Sequence, residues 1–174
     1  MALPLLLFGA SALAILASNE YARDQRNQNS LAILLTDQQK KIKPENGAIV
    51  SCGVFGVFDH TGIWLDGNII ELRGNGLIRG ISPQRFLQGR SGSQIYIACN
   101  QHNEVLIESA AIERACVQLF QYSEYDLIKN NCHKFVWNCV TGERNQLTRF
   151  SELNRLMANY FGCEISWQKT DTQG

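Results

Sequence analysis

Cys132 stands between a pair of asparagines and a histidine in "YDLIKNNCHKFVWNCVTG", residues 125–142, where a loop gives way to a helix. A cysteine there could be core packing, a metal ligand or a nucleophile. Cys132, Phe135, Val136, Cys139 and Val140 follow i, i+3, i+4, i+7, i+8 spacing, so the cysteine lies on the buried stripe of its helix. That alone suits a small hydrophobe in a core. Its position along the helix points the other way. The asparagines read as loop and cap, which puts Cys132 in the first turn. There the unpaired backbone N–H groups and the helix dipole favour a thiolate, and the same N–H groups can receive a developing oxyanion. Cys139 shares the stripe about two turns further in and has no such help, so it reads as core.

A thiolate nucleophile needs a base. His133 is adjacent, but neighbouring helical residues point about 100° apart, which makes it a poor candidate. His102 lies in a polar turn. His60 is the better candidate because of the hairpin that must carry it. Asp66-Gly67 between two apolar runs is a two-residue turn signal. Taken literally, it pairs Leu65 with Asn68, Trp64 with Ile69, Ile63 with Ile70, Gly62 with Glu71 and His60 with Arg73. Ile63, Leu65, Ile70 and Leu72 then face a core. His60, Gly62, Trp64, Ile69, Glu71 and Arg73 line the other face. His60 and Glu71 become diagonal neighbours, with Gly62 leaving room for a carboxylate–imidazole hydrogen bond and Arg73 able to compete for Glu71. A nucleophile, a base and a group that orients the base form a recurrent catalytic set. The plain alternative is a His–Glu pair on a solvated sheet face. Trp64 and Arg73, on the face of His60, and Asn131, next to the cysteine, are the candidate substrate contacts.

The elements that must position these residues read as follows. "GAIVSCGVFGVF" is one strand or two, and "DHTGIWLDGNIIELRG" is the hairpin. A short helix starts at Ser82 with Pro83 in its first turn. "SQIYIAC" is a strand. Val105 to Phe120 carries helical spacing, and "SELNRLMANYFG" is a last helix with Ser151 as its cap. Strands first and helices mostly later predict an α+β fold with a small antiparallel sheet packed against helices.

The chain has 174 residues, 45% apolar and 18% charged, enough for one globular core. Sixteen basic residues balance sixteen acidic ones, and no basic stripe with interleaved aromatics points to nucleic acid. The six cysteines are scattered without a C-x-x-C pair, which argues against a disulfide scaffold and against zinc. They read as mostly buried thiols in a reducing compartment, and no metal or cofactor is expected.

Residues 2–18 carry no charge. As a helix they would reach roughly 25 Å, just short of a hydrocarbon core. They are expected to anchor the chain in a membrane. Arg23 and Arg26 follow, placing the domain on the cytoplasmic side. A cleaved signal with an exported domain, and a buried or partner-facing helix, are the alternatives. The division is therefore an apolar helix over 1–19, a polar stalk over 20–43, a domain over 44–165 and a polar tail over 166–174. The stalk leaves the oligomeric state open.

Together, "HTGIWLDGNIIEL" and "YDLIKNNCHKFVWNCVTG" resemble the lecithin:retinol acyltransferase family of the circularly permuted, NlpC-type papain-like superfamily. The resemblance covers roughly Pro44 to Gly142. It implies a permuted papain-like fold. It also implies Cys132 as nucleophile, His60 as general base and then acid, and Glu71 as orienter. The activity implied is a thiol hydrolase or acyltransferase working through an acyl-cysteine, on acyl-bearing lipids. The wider superfamily makes a peptide or cell-wall amidase the enzymatic alternative, and a lipid- or protein-binding module is the non-catalytic one. Two departures stand out. The family's "CEHF" is "CHKF" here, which bears on substrate choice and on whether activity is retained. Glu71 stands where many relatives have a second histidine, and a glutamate can still orient His60.

Overall fold

The computed structural model describes residues 41–54, 58–90, 92–126, 130–145 and 147–171. The expected apolar helix over 2–18 and most of the stalk lie outside the described residues. Among those described, no helix is long and apolar enough to cross a membrane.

The fold is α+β. Strands β1 (Ile49–Val54), β2 (Phe58–Leu65), β3 (Asn68–Leu72) and β4 (Ile78–Ile81) run as an antiparallel meander, followed by a short helix α1 (Pro83–Leu87) and β5 (Tyr96–Cys99). Helices α2 (Ser109–Cys116), α3 (Cys132–Thr141) and α4 (Phe150–Phe161) come next, and β6 (Ser166–Lys169) closes the chain. The six strands form one sheet in the order β4-β3-β2-β1-β5-β6.

Both faces of the sheet are buried. Ile49, Ile63, Ile70, Leu72 and Ile78 pack beneath α2, α3 and α4, against Ala111, Val136, Val140, Leu153 and Met157. On the opposite face Val50, Cys52, Trp64, Ile69, Ile81 and Ile97 close around Phe86 of α1. The second face is therefore no solvated surface.

Asp66 and Gly67 adopt φ values of 45° and 74°, the left-handed pair that a two-residue hairpin with native twist requires. The register follows: Ile63 pairs with Ile70, Trp64 with Ile69 and Leu65 with Asn68. Gly62 is obligatory, since a Cβ there would meet Ile69 Cγ2 at 2.5 Å and the Ile70 carbonyl oxygen at 2.8 Å.

Three local readings differ from the structure. Helix α2 starts only at Ser109, because Val105 and Ile107 bridge to Cys99 and Ala48, and the Glu108 side chain caps the helix by accepting from the Ala110 N–H. Its far end stops before Phe120, whose φ of 63° no right-handed helix accommodates. Helix α4 is capped at Arg149 rather than Ser151; the Glu152 carboxylate accepts from the backbone N–H groups of Thr148 and Arg149. Finally, Ser166–Lys169 is not a free tail but the sixth strand, with Trp167 buried opposite Ala98 and Thr170 bridged to Ile42.

Candidate active site

Helix α3 begins at the cysteine. Asn131 is its N-cap, accepting from the Lys134 N–H at 3.0 Å, and its amide donates to the carbonyls of Leu147 and Thr148 at 3.2 and 3.1 Å. Asn131 is thus a buried clamp between the start of the helix and the segment leading to α4. The helix ends at Gly142, whose φ of 79° supplies the left-handed C-cap. Cys132 occupies the first helical position and is 4% exposed. Its Sγ lies 3.9 Å from the Asp59 carbonyl oxygen, so the helix start abuts β2 beside His60.

His60 and Glu71 meet as a buried pair, with His60 Nε2 2.7 Å from Glu71 Oε2. Glu71 is fully buried, and His60 is tilted against the Phe86 ring at 5.2 Å. Nε2 is engaged with the carboxylate, so Nδ1 is the nitrogen left for the thiol, with which His60 interacts electrostatically. Sulfur, imidazole and carboxylate therefore act on one another in sequence.

The expected competitor of Glu71 is not its partner. Arg73 is exposed, because β3 ends at Leu72 and the chain turns through Gly76, at φ 88°, into β4. Two other arginines converge instead. Arg79, paired directly with Glu71 across β3–β4, donates from Nε at 3.0 Å and Nη2 at 2.9 Å to Oε1. Arg90 donates to Oε2 at 2.7 Å, caps the Phe86 carbonyl and stacks 4.7 Å over the Phe86 ring. Trp64 lies within the second core around Phe86, 7% exposed. Of the three candidate substrate contacts, then, Trp64 is core, Asn131 a cap and Arg73 outlying.

The electrostatics follow from these contacts. Burial works against the Cys132 thiolate, but His133 and His60, by charge and by hydrogen bond, more than offset it and hold the thiol well below its ordinary value. Burial likewise works against the His60 cation, and the thiolate and Glu71 overcome it, so the imidazole is raised. For Glu71, burial is outweighed by His60 and Arg90, which bring its carboxyl down to about 2. All three directions favour the charged form of each group: thiolate, imidazolium and carboxylate.

Two residues in the site escape a local reading of the sequence. Tyr125 lies near Cys132, and burial together with the neighbouring thiolate pushes its hydroxyl up to about 12. Its only sequence signal is its place at the head of the cysteine motif. His133 leans back toward the sulfur despite being the adjacent residue, its Nδ1 3.9 Å from Cys132 Sγ. His102 is exposed on its turn.

No protein-family model matches the chain, and no curated protein sequence matches it.

Proposed function

We propose that the protein is a thiol-dependent acyltransferase or hydrolase on a circularly permuted papain-like fold, working through an acyl-cysteine on esters or amides of acyl-bearing lipids. The observation that carries the reading is the buried His60–Glu71 pair at 2.7 Å beside a cysteine in the first turn of a helix. The resemblance of the two motifs to the lecithin:retinol acyltransferase family and the uncharged segment 2–18 favour lipid acyl groups and a membrane-proximal location.

In this mechanism the Cys132 thiolate attacks the carbonyl carbon and a C–S bond forms. The oxyanion that develops is met by backbone N–H groups of the first turn of α3 and by the Tyr125 hydroxyl. His60, protonated at the outset, gives its proton to the departing oxygen or nitrogen as that bond breaks. The acyl group is left on sulfur. Neutral His60 then takes a proton from water or an acceptor hydroxyl, whose oxygen attacks the thioester. Collapse of that intermediate restores the thiolate and the imidazolium. Glu71 fixes the ring through Nε2, and Arg79 and Arg90 keep the carboxylate ionised.

The test is acid-quenched incubation with p-nitrophenyl acyl esters and with phospholipids, followed by mass analysis of the peptide containing Cys132. An acyl mass on Cys132 of the native protein, absent in His60→Ala at equal times, is the expected result. Acylation only by peptide amides would reassign the substrate to the amidase class. No acylation by any of these, with lipid binding retained, would make the protein a binding module.

A further inference from the structure

His133 occupies the position that breaks the family pattern, and its surroundings give it a part in the site. Successive residues of β2 point to opposite faces. His60 therefore leaves the strand on the Phe86 side and Thr61 on the side of α3. Thr61 Oγ1 lies 3.1 Å from His133 Nδ1, and that same nitrogen lies 3.9 Å from Cys132 Sγ. The sulfur sits against the backbone between them, 3.9 Å from the Asp59 carbonyl oxygen. The ring of His133 is confined as well, 6% exposed and tilted against Phe150 of α4 at 5.7 Å. Two imidazoles thus bracket one sulfur from the two faces of one strand.

We propose that His133 is a second imidazole partner of the Cys132 thiolate, tethered by Thr61 on the face of β2 opposite His60. The inference rests on the reading of Cys132 as a nucleophile and deepens it. The two histidines divide the work. His60, backed by Glu71, moves the proton. His133 leans on the Thr61 hydroxyl instead of a carboxylate. Its part is to present the Nδ1 proton to the sulfur, a tautomer that a thiolate acceptor favours and that Thr61 Oγ1 can share. The thiolate is then supported from a second side before it attacks and again when it is released, while proton transfer still depends on His60.

The other groups that face the sulfur are accounted for. Tyr125 interacts with it electrostatically, and Glu71 stands behind His60 with Arg79 and Arg90. Cys52 of β1 lies opposite His60, and burial pushes its thiol up to about 12, so it stays protonated. Asp59 presents its backbone carbonyl.

The experiment is iodoacetamide alkylation of Cys132 against pH in the full chain, resolved from the other thiols by mass spectrometry. His133→Gln is expected to raise the Cys132 midpoint by about one pH unit, a shift of ordinary size for one neighbouring group. Thr61→Val, which removes only the tether, should move it in the same direction by less. His60→Ala should raise it yet leave it below the free-thiol value of about 8.5, and His60→Ala/His133→Gln should reach or exceed that value. An unchanged midpoint in His133→Gln overturns the proposal, as does a return to about 8.5 in His60→Ala alone. If His133→Gln does not fold, as judged by circular dichroism, Thr61→Val decides: an unchanged midpoint there overturns it too. The acyl-enzyme assay is separate. Native protein that fails to acylate while His133→Gln shifts the midpoint would sink the proposed activity and leave the second imidazole standing.

Discussion

Cys132 and Cys139 lie on one face of one helix, about two turns apart, and both are buried. Burial raises both thiols. At Cys139 it prevails: the Gln118 amide at 3.9 Å and the nearby Arg114 offset too little, and the thiol is pushed up to about 12. At Cys132 burial loses to two imidazoles, and the thiol falls well below its ordinary value. Arg114 marks the contrast from the backbone side. Near Cys139 it donates to the carbonyls of Cys139 and Val140, the acceptor end of the helix. Cys132 stands at the donor end, where N–H groups point outward. One residue type on one stripe therefore becomes packing or, in the proposed function, a nucleophile according to which end of the helix it occupies and which side chains reach it.

The largest effect that would break this comparison is on turnover. Cys132→Ser should lower acyl transfer at least about 10⁴-fold, as removal of a nucleophile does, with little change in melting temperature. Cys139→Ser should do the reverse, keeping activity and losing about 1–3 kcal/mol of stability by burying a hydroxyl. Equal loss of activity in both variants would dissolve the distinction. Thermal melts and single-turnover rates read the two together.

Next comes the base. His60→Ala should cost about 10²–10⁴-fold in acyl-enzyme formation, the usual worth of a positioned acid–base group. The defect should outlast high pH, where thiolate is no longer scarce but the proton donor is still missing. Recovery of full rate at high pH would reduce His60 to a thiolate stabiliser.

Glu71→Gln sharpens the account through stability. It leaves Arg79 and Arg90 without their buried counter-ion, at a cost on the order of 3 kcal/mol. The carboxyl's fall from its ordinary 4.5 to about 2 fixes the sign of the pH dependence. A depressed carboxyl stabilises the fold fully above its unfolded value. That contribution is lost as pH falls through the interval from 4.5 to about 2. Denaturant melts of the native protein should lose stability over that acid window, and those of Glu71→Gln should lose less. Parallel acid profiles would contradict the assignment.

Asn131→Ala is the smallest of the four. Loss of the cap should cost about 1–2 kcal/mol. The frayed first turn should also slow Cys132 alkylation near neutral pH while leaving Cys139 unaffected.

Much of this site was legible before the fold because its signals are local. Asp66-Gly67 sets the hairpin register, and the register alone makes His60 and Glu71 diagonal neighbours. The asparagines before Cys132 mark the first turn, and Asn131 is its cap. The remainder depends on tertiary approach. Arg79 reaches Glu71 only because β4 folds back beside β3, and Arg90 only because α1 crosses the second face. A hairpin taken in isolation offers Arg73 instead, which the turn after Leu72 carries away. His133 was discounted on helical geometry. An angle of about 100° between neighbours holds for Cβ directions, but an imidazole in a first turn can lean toward a tether, and Thr61 lies 72 residues away in sequence. Strand β6 was missed because four residues with one large apolar side chain carry no readable period, although β5 completes them.

The most direct test of the central claim is the alkylation midpoint of Cys132 measured beside that of Cys139 in the same native protein. The account predicts that Cys132 reacts with a midpoint well below about 8.5, while Cys139 stays unreactive until far higher pH. Equal midpoints, or a Cys132 that remains as inert as Cys139 at neutral pH, would contradict it.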